Sequence, residues 1–130
     1  MLHAPDYLEE REGIWHFRPR GPCSLVEGVD LVTNAIAYCK NHGIHKLLVN
    51  VTELTGVSNP SDIDRFLIAE EWGQAAGDKV RMALVSRPEH FQPRKMGLGV
   101  AATFGAVFEV YTSELEALRW LSALDSPPSR

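Results

Sequence analysis

The sequence is short of several features that would declare a function. Two cysteines, Cys23 and Cys39, occur among 130 residues. Two are too few for a disulfide framework, and neither belongs to a Cys-x-x-Cys motif. Basic residues are not in excess: 13 Lys and Arg stand against 17 Asp and Glu, for a formal net charge of −4. A nucleic-acid partner wants a basic face, so none is expected. No stretch of about 18 apolar residues occurs, so no transmembrane segment is expected. The opening residues, Met1 to Glu10, contain no basic segment followed by an apolar core, which is the mark of a signal peptide. A reducing cytoplasm with free thiols is the expected setting. No Gly-x-Ser-x-Gly occurs, no internal repeat, and no low-complexity block beyond Pro127-Pro128.

What is present is ordinary for a globular domain: 45% hydrophobic and 23% charged residues. A chain of this length buries about two thirds of its unfolded surface and needs no metal or disulfide staple. One domain over residues 1–124 is expected, with 125–130 a frayed tail.

Residues Lys46 to Asp62 organise the chain. Lys46-Leu47-Leu48-Val49-Asn50-Val51 is a short apolar run suited to a strand covered on both faces. Asn59 then offers a helix cap, and Pro60 suits the first helical position. The loop between them leaves the carboxyl end of a central strand, where sites sit in open α/β sheets.

Upstream, Tyr7-Leu8 and Ile14 to Phe17 read as two strands around a charged turn, hence an antiparallel hairpin. Ile14 and His16 share one face of the second strand, and Trp15 and Phe17 the other. Ser24 and Glu27 form a capping box. The helix they open carries Leu25, Val29, Val32, Ile36 and Cys39 on one stripe and closes at Gly43.

Downstream, a second helix runs from about Pro60 to Ala76, with Ile63, Phe66, Leu67 and Trp72 as its apolar residues and Gly77 closing it. Val80 to Val85 is a strand, 94–104 a helix rich in small residues, and Ala106 to Tyr111 a strand. Ser113 and Glu116 cap a last helix bearing Leu115, Leu118, Leu121 and Leu124. The expected architecture is a single α/β domain with a mixed sheet: an N-terminal antiparallel hairpin, then alternating strands and helices in the order ββαβαβαβα.

Three stretches resemble the SpoIIAA-like branch of the STAS superfamily, often grouped with CRAL-TRIO lipid-binding domains. They are Gly43 to Gly56; Val80 to Val85; and Val107 to Tyr111 with Glu116-Ala117-Leu118-Arg119-Trp120-Leu121. In that family Asp often stands at the Asn50 position. The resemblance implies a non-enzymatic fold without a cofactor. In the superfamily's anti-sigma-factor antagonists, a serine in an Asp-Ser-Ser-Gly sequence starts the helix after the central strand, and its phosphorylation switches partner binding. The matching stretch here is Ser58-Asn59-Pro60-Ser61-Asp62, which has the serines without that order. The resemblance thus implies a partner or phosphoswitch loop of Asn50, Thr52, Ser58, Asn59, Ser61 and Asp62.

Other clusters have plainer explanations. Cys39, His42 and His45 are zinc-binding types, but Cys39 lies on the apolar stripe and no fourth ligand follows, so no metal is expected. Gly97-Leu98-Gly99-Val100-Ala101-Ala102 matches a dinucleotide fingerprint, yet does not directly follow a strand as that mechanism requires. His90, with Glu89, Arg87, Arg94 and Lys95, makes a polar loop able to meet an acidic group.

Two binding readings follow. One is a regulatory or interaction module binding a protein partner through residues 52–62 and the helix after them; an exposed apolar patch beside that loop is its signature. The other is a carrier of a small apolar ligand or lipid, in a pocket between sheet and helices lined by Trp72, Phe91, Met96 and Phe104. An enzyme is not expected, since no catalytic residue types converge. A homodimer through Trp15, Phe17 and Trp120 is compatible with either.

Overall fold

Residues 6–87 and 105–124 are described by the computed structural model. β1 (Leu8–Arg11) and β2 (Ile14–Phe17) form the expected hairpin, pairing antiparallel with Leu8 opposite Phe17 and Glu9 opposite His16. β3 (Gly21–Pro22) is a two-residue strand before α1 (Leu25–Asn41). β4 (Lys46–Asn50), the short β5 (Leu54–Thr55), α2 (Asp62–Ala76), β6 (Arg81–Val85), β7 (Val107–Tyr111) and α3 (Glu114–Ala123) follow. The main sheet has five strands in the order β1-β2-β4-β6-β7. All neighbours after the hairpin run parallel, as strand–helix–strand alternation requires. The mixed α/β sheet matches the expected class. The helix expected at 94–104 and the tail from 125 lie outside the described residues.

The sheet is covered on both faces. One face packs Phe17, Leu47, Val49 and Met82 against Val32, Ala35, Ile36 and Cys39 of α1 and Ala76 of α2. The other packs Ile14, Leu48, Ala83 and Val85 against Ala117 and Leu121 of α3. Leu47, Leu48 and Val49 are completely buried. A strand buried on both faces reads as an unbroken apolar run, which is what Leu47-Leu48-Val49 is.

α1 opens with the expected capping box, Ser24 and Glu27 bonding each other's backbone N–H. α3 is capped by Ser113 and receives Lys46 Nζ on the Leu124 carbonyl at 3.0 Å, a cation at the negative helix end.

Two expectations need correction. α2 starts at Asp62 with Ser61 as its cap; Asn59 and Pro60 stand before the helix. Asp64 at the third helical position makes Ser61 the better cap, because the two satisfy each other's N–H groups at 3.1 and 2.9 Å. Trp15, Phe17 and Trp120 also do not share an exposed face. Phe17 is buried with Trp15 beside it on the α1 side, and Trp120 packs on the α3 side.

Gly28 sits inside α1 with ordinary helical backbone. A Cβ there would meet Cys23 Sγ at 3.5 Å and Leu54 Cδ1 at 3.6 Å, ordinary contact distances. Gly28→Ala therefore gains helix propensity without a clash and raises unfolding free energy by about 0.5–1 kcal/mol in denaturant titration.

Candidate functional site

The loop from β4 to α2 is braced along its first half. β5 pairs in parallel with β3, so Gly21 N–H donates to Glu53 O at 3.2 Å and Cys23 N–H to Thr55 O at 2.9 Å. Arg87, just past β6, donates from Nε to Thr52 O at 2.9 Å and from Nη2 to Leu54 O at 3.1 Å. The loop's orphan carbonyls are thus taken up by a guanidinium fork.

On the α3 side, at the carboxyl end of the sheet, four residues far apart in sequence form one network. Arg18 grips Glu114 with two bonds, Nε to Oε2 at 2.9 Å and Nη2 to Oε1 at 2.5 Å. Asn50 Nδ2 donates to the same Oε2 at 2.8 Å. Asn50 Oδ1 accepts from Thr52 N–H at 3.0 Å and Thr52 Oγ1 at 2.7 Å. The Arg18 bonds, with the Asn50 bond adding to them, hold the Glu114 carboxyl well below the usual range, at about 2. The first turn of α3, a favourable place for a carboxylate, is tied in this way to the ends of β2 and β4.

His16 lies beside this network, 4% exposed, and its Nδ1 has no hydrogen-bond partner among the described residues. Burial pushes its pKa down, helped by the Arg18 charge and opposed by Glu114. Ser86 Oγ, past the end of β6, is the other buried polar side-chain atom without a partner among the described residues.

α2 is inside out relative to an ordinary amphipathic helix. Its buried positions are the small residues Ala69, Gly73 and Ala76. Trp72 packs inward, but three of its large apolar side chains face solvent: Ile63 is 72%, Phe66 50% and Leu67 54% exposed. These stand at i, i+3 and i+4, one continuous surface just beyond the loop.

The expected site residues are therefore divided. Asn50 and Thr52 belong to the network on the α3 side. Ser58 and Asn59 are exposed in the loop, and Ser61 and Asp62 form the exposed start of α2. Trp72 packs against the α1 core cluster, its indole N–H donating to Val29 O at 3.4 Å. Phe91, Met96 and Phe104, the fingerprint at 97–102 and the loop around His90 lie outside the described residues. Cys39, His42 and His45 are engaged separately: Cys39 in the core, its thiol pushed up to about 12 by burial, His42 stacked on Tyr38, and His45 Nδ1 3.0 Å from Lys79 O. Arg18 and Glu114 had no signal in sequence. They are 96 residues apart, and only the parallel register brings them together.

No protein-family model matches the chain, and no curated protein matches it. Among solved structures, the chain is similar to an uncharacterised protein of the DUF3478 family with a SpoIIAA-like fold from Shewanella loihica. Identity is 18% over 88% of this chain and 90% of that one, with a TM-score of 0.46. No functional argument passes from that protein to this one.

Both His16 and Glu114 have folded pKa values below their unfolded ones, so in each case the unfolded chain binds protons first as pH falls. Stability is full above pH 6.5 and declines below it as the unfolded His16 charges. It declines further between the ordinary carboxylate range, 4.5, and about 2 as Glu114 protonates, a loss of about 1–2 kcal/mol after solvent screening. Denaturant titration against pH should show both limbs; Glu114→Gln flattens the lower and His16→Leu the upper.

Asn50 is fitted to this network as an amide, since a carboxylate would keep the Thr52 bonds but face Glu114. Asn50→Asp is expected to cost about 1–2 kcal/mol at neutral pH, with the loss shrinking as the solution is acidified through the carboxylate range.

Proposed function

We propose that this chain is a non-enzymatic interaction module that docks an amphipathic segment of a partner protein on the outward face of α2 and the loop before it. The observation that carries the reading is the inverted α2, which presents Ile63, Phe66 and Leu67 to solvent directly after a braced loop. Contiguous apolar side chains at i, i+3 and i+4 mark helix-in-groove or helix–helix recognition. The charges on α2 are mostly negative, Asp62, Asp64, Glu70 and Glu71 against Arg65. They favour a partner segment whose apolar face is edged by Lys and Arg.

The side-chain chemistry favours binding over catalysis. Arg18 and Glu114 neutralise each other, Cys39 is a buried thiol held in its neutral form, and burial raises the Cys23 pKa as well.

The test is a photo-crosslinking residue at position 67 in the host cell, with mass-spectrometric identification of the adduct. A single partner carrying a basic amphipathic segment is expected. Phe66→Glu with Leu67→Glu should abolish the adduct of a crosslinker at position 63 while changing unfolding free energy by less than about 0.5 kcal/mol. A loss of several kcal/mol would show these side chains buried within the monomer and would overturn the reading. So would a wild-type homodimer in sedimentation that the same variant dissociates.

A further inference from the structure

At the hairpin end of the molecule an open depression of about 360 Å³ is lined by Tyr7, Leu8, Glu9, His16, Arg18, Arg20 and Glu53. Its volume lies within the range of small-molecule sites. Four features converge on it.

The first is His16, whose Nδ1 is buried and without a hydrogen-bond partner among the described residues. A buried polar atom left without a bond costs about 1–3 kcal/mol, and His16 is one of the residues that line the depression. The second is charge. The lining holds two guanidinium groups, Arg18 and Arg20, and two carboxylates, Glu9 and Glu53, of which Arg18 is paired with Glu114 and Glu9 with Arg11. It is balanced overall and of both signs. The third is residual bonding capacity. Arg18 is engaged by Glu114 through Nε and Nη2, and its other donor nitrogen has no bond to Glu114. Arg20 lies over the Tyr7 ring at 5.9 Å, a cation–π contact that holds the guanidinium at the rim. The fourth is Tyr7 itself, whose backbone is left-handed at φ 68°, a conformation uncommon for an aromatic residue.

A ligand of net charge would meet like charge on this lining whichever sign it carried. A dipolar ligand meets opposite charge at both ends. We propose that the depression binds a small zwitterion of amino-acid size, its carboxylate received by Arg20 and the remaining donor nitrogen of Arg18 and its ammonium by Glu53. The site is on the hairpin side and is independent of the docking face on α2.

The experiment is an NMR titration of the full chain with pooled free L-amino acids at up to about 10 mM, then with single members, following the His16 ring and the Arg18 and Arg20 side-chain signals. Saturable shifts at these three residues are expected from at least one amino acid. Its N-acetyl derivative, lacking the ammonium, and its amide, lacking the carboxylate, should each bind about tenfold or more weakly. Arg20→Gln and Glu53→Gln, both at the rim, should weaken binding similarly while leaving the melting temperature unchanged. Absence of saturable shifts across the pool would overturn the proposal. So would equal binding of either blocked derivative, which marks a plain anion or cation site, or binding that survives both variants. None of these outcomes depends on the α2 surface.

Discussion

One helix cannot cover five strands, and the α3 side of this sheet is shaped by that limit. Strands lie about 4.8 Å apart, so five span roughly 19 Å, whereas a helix with its side chains is about 10 Å wide. On the opposite face, α1 and α2 share the load. α3 works alone among the described residues and packs on β4, β6 and β7. Of the hairpin on that face, Ile14 of β2 joins the α3 core, and the rest is left at its margin. The residues found there are those that can stand at a boundary between core and water: His16, Glu9, Arg18 and Glu114. The Arg18–Glu114 fork closes the seam where helix cover ends, and Asn50 pins the same carboxylate to the central strand.

Much of this architecture was legible because its causes are local or periodic. The Ser24–Glu27 capping box, the stripe through Val32, Ile36 and Cys39, and the left-handed Gly43 after α1 are read from neighbours in the chain. The alternation that put Ile14 and His16 on one face is similarly short-range. The β3–β5 ladder was not legible. Gly21 and Pro22 signal strand termination, yet two residues suffice for a ladder at an edge where Pro needs no partner. The start of α2 was ambiguous for another reason. Asn59 and Ser61 are both good caps, and the choice between them turns on the reciprocal Asp64 bond.

The network and the inverted helix were illegible for opposite reasons. Arg18, Asn50 and Glu114 make sense only once register and helix direction are known, because each contact spans tens of residues. α2, by contrast, is legible as a helix but not in orientation. It has apolar residues on both sides, and periodicity cannot say whether Ala69, Gly73 and Ala76 or Ile63, Phe66 and Leu67 turn inward. Close approach to α1 selects the small ones, since small side chains let backbones pack closely. Ile63, Phe66 and Leu67 are turned out as a consequence.

That consequence also sets the strength of any association through α2. Ile63, Phe66 and Leu67 are already one quarter to one half covered, so docking recovers roughly 4–6 kcal/mol of apolar transfer from all three. Association costs an estimated 4–15 kcal/mol in lost freedom and side-chain ordering. These three side chains alone therefore do not secure association, and the partner's own apolar surface and the rim, where Asp62, Glu70 and Glu71 lie on the same helix, must contribute. Rim charges act strongly on encounter rate and are screened by salt. An interface built this way forms quickly, dissociates readily and responds to small changes in local charge, as a transient protein contact requires.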